Sequence, residues 1–82
     1  MIRGIYAIKD VKTAFWQPWV HHNDNSALRE FSTMVNGDNV VGEHPGDFEL
    51  WKLGTYDDLT GAISPSLEFV VSASSLKKVI DE

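Results

Sequence analysis

The stretch that decides the fold is residues 2–31, IRGIYAIKDVKTAFWQPWVHHNDNSALREF. Residues 2–9 have apolar side chains at both odd and even positions, so both faces of a strand would be apolar. They are also rich in β-branched and aromatic side chains, which is typical of a central strand with both faces covered. Residues 10–13 are a polar break of the length that joins two strands of a hairpin. Residues 14–21 predict a second strand. Pro18 has no N–H to donate, so this strand is expected at a sheet edge or with a bulge.

A helix is predicted directly after these two strands. Residues 23–26 are four consecutive side chains of the types that commonly cap helices. Apolar side chains then recur at spacings of three and four up to Val35, which places them on one helical face. The Asn-Gly pair at residues 36–37 marks the end, since glycine adopts the left-handed conformation easily. These signals predict a helix over residues 24–36, followed by a connector over residues 38–46.

The remaining residues predict a second hairpin and a short terminal helix. Residues 48–56 predict a strand, and residues 57–61 predict a hairpin loop with a glycine near its end. Residues 62–71 predict the partner strand, interrupted at residues 64–66 around a proline. The terminal helix is indicated by an apolar stripe that follows several serines: Leu76, Val79 and Ile80.

Together these elements predict a single α+β domain over residues 1–82. It consists of a small antiparallel sheet of about four strands in ββαββα order, with one long helix packed on one face. A chain of 82 residues buries only a limited core, and without cysteine it has no disulfide to reinforce that core. Small domains of this kind often gain stability by association, so we expect a homo-oligomer, either a dimer or a larger assembly.

Charge is distributed unevenly along the chain. Residues 1–41 carry four basic and four acidic side chains, whereas residues 42–82 carry three basic and eight acidic ones, for a net charge of −5. Strong non-specific binding of nucleic acid depends on neutralising phosphates, so the overall charge counts against it. No apolar run reaches the roughly 20 residues of a membrane span, and no targeting segment is apparent. We therefore expect a cytoplasmic protein with no membrane association.

The sequence carries none of the motifs that would indicate an enzyme or a cofactor site. His21 and His22 are adjacent on a predicted strand, so they point to opposite faces and cannot share a metal ion without a bend. Asp57 and Asp58 lie in a hairpin loop, where aspartate forms turns through bonds to its own backbone. Phosphate-binding loops, dinucleotide-binding glycine motifs and activated-serine motifs are absent from the sequence. The prediction is no enzymatic activity, no cofactor and no metal site.

One constellation of side chains has two interpretations. Its aromatic members are Tyr6, Phe15, Trp16, Trp19, Trp51 and Tyr56. Its basic members are Arg3, Lys9, Lys12 and Lys52. Aromatic rings beside basic groups bind single-stranded nucleic acid by stacking on its bases, but the same rings would also serve as the core or an oligomer interface of a small protein. Strand alternation separates Trp16 from Phe15 and Trp19, so one set would pack under the helix and the other would face outward.

Several ordered motifs between residues 5 and 63, most of the chain, resemble a known family. They are IYAIKDVKTAF at residues 5–15, NDNSALREF at residues 23–31, HPGDFELWKLG at residues 44–54 and DDLTGAI at residues 57–63. The chain is similar to the small nonstructural protein of gokushoviruses, tailless bacteriophages of the Microviridae with single-stranded DNA, which is commonly described as DNA-binding. The resemblance implies a role in viral DNA replication and packaging, including the switch to single-stranded DNA synthesis, in the host bacterial cytoplasm.

The residues and the resemblance together support two hypotheses. In the first, the protein is a homo-oligomeric accessory factor that binds single-stranded DNA. The side chains expected to contact phosphates are Arg3, Lys9, Lys12 and Lys52, and those expected to stack on bases are Trp16, Trp19 and Trp51. In the second, it is a protein-interaction module that touches no DNA and regulates the replication initiator or the procapsid, with the tryptophans in its interface.

Overall fold

The structure is a computed structural model of the chain that describes residues 1–78. Its strands are β1 (Ile2–Asp10), β2 (Trp19–His21), β3 (Phe48–Asp57) and β4 (Ile63–Ser72). Its helices are α1 (Asp24–Val35), α2 (Val40–Glu43) and α3 (Ala73–Leu76), with a 3₁₀ turn at Pro45–Asp47 between α2 and β3. The prediction of a small α+β fold with a four-stranded antiparallel sheet is confirmed.

The four strands form one antiparallel sheet in the order β2-β1-β3-β4. The prediction that β1 is central is confirmed, because it pairs with β2 on one side and with β3 on the other. β2 lies at an edge, as Pro18 predicted. In the central ladder Ile8 lies opposite Leu50 and Ala7 lies opposite Trp51. Because side chains alternate between the two sides of a strand, these two pairs project from opposite faces of the sheet.

The helices cover one face of this sheet and complete the core. That face carries Tyr6 and Ile8 of β1 and Phe48 and Leu50 of β3, all of which are buried. The buried residues that the helices and their connections bring to the same cluster are Ala27, Phe31, Val35, Val41 and Ala73. Spacing of four along α1 aligns its buried side chains in one row over the sheet, as the sequence pattern predicted.

The predicted ββαββα order and the single long helix are wrong. α1 has only 12 residues, and α2 and the 3₁₀ turn interrupt the passage to β3. α2 forms because Asn39 caps it, with its side-chain oxygen accepting a hydrogen bond from the backbone N–H of Gly42 at 3.1 Å. Pro45 then starts the 3₁₀ turn, where its fixed φ and missing N–H are tolerated. The connector is therefore largely helical.

Two strand predictions also need correction. The strand predicted over residues 14–21 is reduced to β2, with one isolated bridge between Phe15 and Lys9, because the chain leaves the ladder before Pro18. The interruption predicted in the fourth strand is wrong, since β4 runs unbroken through Pro65. An edge strand tolerates proline, and the register shift between Lys52 and Gly54 places a bulge beside Pro65. A second shift lies between Leu50 and Trp51.

Polar bonds tie the end of the described chain to the helix layer. The Lys77 ammonium donates to the backbone oxygens of Val35 at 3.2 Å and Gly42 at 3.0 Å. The Asn36 side chain donates to the backbone oxygen of Leu76 at 3.0 Å and accepts from the backbone N–H of Lys78 at 2.8 Å. These contacts satisfy carbonyls that helix ends leave without partners. Val79 and Ile80, which the sequence placed on the terminal helix, lie outside the described residues.

Within residues 1–78, no helix has both the length and the apolar character needed to cross a bilayer.

Candidate functional site

The sheet face opposite the helices carries a cluster of aromatic side chains, and we call this side the open face. Trp51 of β3 pairs with Phe69 of β4, so both side chains project from the same side of the sheet. Phe15 joins them through its bridge to Lys9 of β1. The rings of Phe15, Trp51 and Phe69 form what we call the aromatic platform.

The three rings of the aromatic platform lie in a row across the sheet. The Phe15 and Trp51 ring centroids are 5.9 Å apart with an interplanar angle of 84°. The Trp51 and Phe69 centroids are 5.5 Å apart at 78°. Both are edge-to-face contacts of the kind that aromatic pairs favour. Phe15 is 38% exposed and Phe69 is 53% exposed, so the flanking rings offer surface to a ligand.

A single ammonium group lies over this platform. The Lys9 Nζ is 5.5 Å from the Phe15 ring centroid and 5.3 Å from that of Trp51. Both distances lie within the range of cation–π attraction. Glu49 lies directly opposite Lys9 in the ladder, but the two side chains form no ion pair within the described part of the chain. The Lys9 charge is therefore held by the rings and remains available to an anion.

Glu49 instead fixes the orientation of the central ring. Its Oε1 accepts a hydrogen bond from the Trp51 indole N–H at 3.0 Å. The two residues are separated by one position on β3, so their side chains share the open face. This bond holds the indole in one orientation, and a preorganised ring loses less conformational entropy when it stacks on a ligand.

The other two predicted tryptophans lie on the helix side of the sheet. Trp16 packs edge-to-face on Phe48, with centroids 5.2 Å apart. Trp19 packs beside Tyr6, with centroids 6.3 Å apart, and its buried indole N–H has no hydrogen-bond partner among the described residues. Both tryptophans line a small apolar cavity together with Phe31. The structure therefore separates Trp16 and Trp19 from Trp51.

Lys52 also points to the helix side and is engaged there. Its Nζ lies 3.1 Å from Oδ1 of Asp24 at the start of α1 and 5.9 Å from the Tyr6 ring centroid. The Tyr6 hydroxyl donates a short hydrogen bond to the same carboxylate. The Tyr6 hydrogen bond, followed by the one from Lys52, holds the pKa of Asp24 below its usual value. Burial, reinforced by Asp24, raises the pKa of Tyr6 well above its usual value.

We expect Tyr6→Phe to make the free energy of unfolding less dependent on pH under acidic conditions. Because the pKa of Asp24 is lower in the folded state, its charge stabilises the fold above about pH 4, and this stabilisation is lost as the pH falls through the folded-state value. Removing the hydroxyl removes the largest cause of the lowered pKa. Urea unfolding from about pH 5 down to about pH 2 should therefore show a smaller loss of unfolding free energy in Tyr6→Phe than in wild type.

Asp58→Asn provides the comparison for this experiment. The amino group of Met1 and the Arg3 guanidinium hold the pKa of Asp58 below its usual value, so Asp58 contributes separately to the acid limb. The two substitutions should act additively, since the two carboxylates share no partner. If the free energy of unfolding falls equally with pH in wild type and in Tyr6→Phe, the role given to the Tyr6–Asp24 bond is contradicted.

The remaining predicted basic residues occupy different places. Arg3 is engaged away from the platform, with its Nε donating to Asp58 at 2.9 Å and a terminal nitrogen lying 2.6 Å from Nδ1 of His22. Lys12 lies in the turn that leads from Lys9 to Phe15. Its ammonium is 3.8 Å from Asp47 and the Lys12 side chain is 72% exposed, so that ion pair is weak. Of the predicted set, the structure brings together Lys9 and Trp51.

Phe69 of the aromatic platform and Glu49, which bonds to Trp51, were not among the predicted site residues. Counting outward from the hairpin loop at residues 57–61 brings Phe69 close to Trp51. The register shift between Lys52 and Gly54 then decides which face it occupies, and the sequence does not reveal that shift. Phe15 was among the weighed aromatics, and its place on the open face follows from the bridge to Lys9.

The fold and this face define a small α+β domain whose antiparallel sheet is covered by helices on one side and presents aromatic rings and a lysine on the other. A family model described as Phage ORF5 protein matches residues 3–76, which include both hairpins and α1. The chain belongs to this family of phage proteins. Comparisons with curated proteins and with solved structures found no match.

Proposed function

We propose that the protein is a phage accessory factor that binds single-stranded DNA through the open face of its sheet. The observation that carries the proposal is the position of the Lys9 ammonium over the rings of Phe15 and Trp51, with Phe69 continuing the row. Four-stranded sheets that bind single strands use this arrangement, in which aromatic rings on an uncovered face stack on successive bases.

The geometry favours single strands over duplex. A ring can stack on a base only when the base face is uncovered, and in a duplex the bases cover one another. The platform also lies on the surface of a sheet, which is too broad to enter a groove in the way that a helix or a two-stranded ribbon does. The bases would stack on the exposed Phe15 and Phe69 rings, with Trp51 between them, while Lys9 and Lys12 meet the phosphates.

The resemblance to gokushovirus proteins supplies the biological setting for this proposal. In the host bacterial cytoplasm, the protein would cover progeny single strands during the switch to single-stranded DNA synthesis and during packaging. Trp51 and Phe69 of the platform lie in the strongly acidic second half of the chain, so only its acidic side chains that lie off the open face, such as Glu68 on the helix side, would face away from the DNA. Those side chains would repel phosphates and would be available to a basic region of the replication initiator or of the procapsid.

Binding to a labelled single-stranded oligonucleotide of about ten nucleotides tests the proposal, with the matching duplex as the control. Fluorescence anisotropy should show single-strand binding that exceeds duplex binding. For a single strand the slope of log K against log salt is about −0.7 per phosphate engaged, so Lys9 and Lys12 together predict a slope near −1.4. Trp51 fluorescence should be quenched as bases stack on it.

Two outcomes would contradict the proposal. If the protein binds neither the single strand nor the duplex at about 20 mM salt, it does not contact DNA directly. Equal binding to duplex and single strand with a much steeper slope would indicate a general phosphate interaction and not base stacking. In the first case the open face would be an interaction surface for a protein of the replication or packaging machinery, an alternative favoured by the exposed apolar rings.

A further inference from the structure

Glu49 places a carboxylate on the open face, which is the face proposed to bind DNA. It lies opposite Lys9 in the ladder, is half-buried, and accepts the Trp51 indole N–H through Oε1 at 3.0 Å. Its second oxygen, Oε2, has no hydrogen-bond or ion-pair partner among residues 1–78. Because a carboxylate repels phosphates, Glu49 is compatible with DNA binding only if it meets a different part of the nucleotide.

We propose that Glu49 contacts the bases of the bound strand and makes the open face select guanine. This inference rests on the proposed function and names the base that the same site prefers. An ionised carboxylate accepts hydrogen bonds and donates none. Between the terminal hydroxyls of a DNA strand, the phosphates and deoxyribose rings carry no donor. The N–H groups on the base edges are therefore the donors that Glu49 can bond.

The position of the carboxylate suits contact with a base edge. An indole N–H points outward in the plane of its ring, so the carboxylate lies at the rim of Trp51 and not over its faces. The flanking rings of Phe15 and Phe69, on which the bases would stack, have centroids 5.9 and 5.5 Å from that of Trp51. A base stacked beside Trp51 can turn an edge toward this carboxylate, while the Lys9 ammonium over the rings meets a phosphate.

Guanine matches this acceptor better than the other bases. Its Watson–Crick edge presents two adjacent donors, N1–H and the N2 amino group, which can bond the two oxygens of one carboxylate. Adenine and cytosine present an amino group next to a ring nitrogen that is an acceptor, and thymine presents one N–H between two carbonyl oxygens. Those neighbouring acceptors repel a carboxylate. Oε1 of Glu49 can still take part, because a carboxylate oxygen has a second lone pair after bonding the indole N–H.

Three single-stranded oligonucleotides of about ten nucleotides test this preference. The reference contains only thymine, and in the other two every third thymine is replaced by guanine or by inosine, so the strand can slide until a replaced base meets Glu49. Anisotropy titration of wild type should give an affinity for the guanine strand about fivefold or more above that for the thymine strand, which is the lower end of what one bidentate contact contributes. Inosine lacks only the N2 amino group of guanine and should lose most of this gain.

Glu49→Gln separates base selection from the support of Trp51. Glutamine retains a side-chain oxygen that can accept the indole N–H, but it removes the charge and replaces the second oxygen with a donor. The preference for guanine should fall to within about twofold of unity. The affinity for the thymine strand should rise, because the repulsion of phosphates is lost. Glu68→Gln makes the same change of charge opposite Lys52 on the helix side of the sheet, and it should keep the preference of wild type.

Three results would overturn this inference while leaving the binding of single strands in place. The first is equal affinity of wild type for the thymine and guanine strands. The second is a guanine preference that survives Glu49→Gln. The third is a preference lost equally in Glu49→Gln and Glu68→Gln, since it would then follow from the overall charge. Absence of binding to all three strands would instead overturn the proposed function, and this inference with it.

Discussion

Replacing Trp51 with alanine is expected to weaken the binding of single-stranded DNA by about 5- to 150-fold, which corresponds to the loss of one stacked base at about 1 to 3 kcal/mol. Trp51 is the centre of the aromatic platform and contacts both Phe15 and Phe69, so its removal also leaves the flanking rings without their packing partner. Lys9 loses one of its two ring contacts at the same time. Anisotropy titration of the variant against wild type at one fixed salt concentration measures this effect.

Trp16→Ala is the matched control for this substitution. It removes the same side chain from the opposite side of the sheet, where Trp16 packs on Phe48 and is 38% exposed. We expect it to lower stability while the affinity for DNA stays within about twofold of wild type. Urea unfolding of both variants establishes that any loss of affinity is not a loss of folded protein. Equal losses of affinity in the two variants would show that the open face has no special role.

Gly42→Ala is expected to destabilise the fold by about 3 kcal/mol or more, although alanine is normally the better helix former by about 1 kcal/mol. A β-carbon at Gly42 would lie 2.9 Å from the backbone oxygen of Val35, and the carbonyl oxygen of Gly37 would be closer still. Both obstacles are backbone atoms at the junction of α1 and α2, so no side chain can rotate away to relieve the contact. The collision therefore outweighs the gain in helix propensity.

Gly46→Ala is the control at a neighbouring position. A β-carbon there would meet no atom within 4 Å, so we expect a change close to zero or a slight gain from the reduced freedom of the unfolded chain. The free energy of unfolding in urea should separate the two variants clearly. Similar stabilities for Gly42→Ala and Gly46→Ala would show that the α1–α2 junction can shift to accommodate a methyl group.

Much of the sheet could be predicted because its signals are local. The apolar run in β1 marked a central strand, and Pro18 marked an edge. α2 was missed because a four-residue helix has too few residues to show periodicity, and only the cap at Asn39 indicates it. β4 was wrongly interrupted at Pro65, since the sequence does not reveal that the missing N–H is harmless on an outer edge.

The candidate site was predicted only in part because alternation holds only within a continuous strand. It correctly separated Trp16 from Phe15, but it grouped Trp19 with Phe15. The chain leaves the ladder between Phe15 and Trp19, so the period of two is broken and Trp19 turns to the helix side. Lys52 and Trp51 are neighbours on one strand and therefore point to opposite faces, which removes Lys52 from the site despite its charge.

The position of β1 between β2 and β3 constrains how the chain folds as it leaves the ribosome. β1 is synthesised first, yet its longest ladder is with β3, whose residues begin only at Phe48. Until then the nascent chain can form only the short pairing of β1 with β2 and the helical segments α1, α2 and the 3₁₀ turn. Closing that long loop is entropically costly, so folding should begin late in synthesis. The aromatic platform, which needs β1, β3 and β4 together, forms only once translation of the second hairpin is complete.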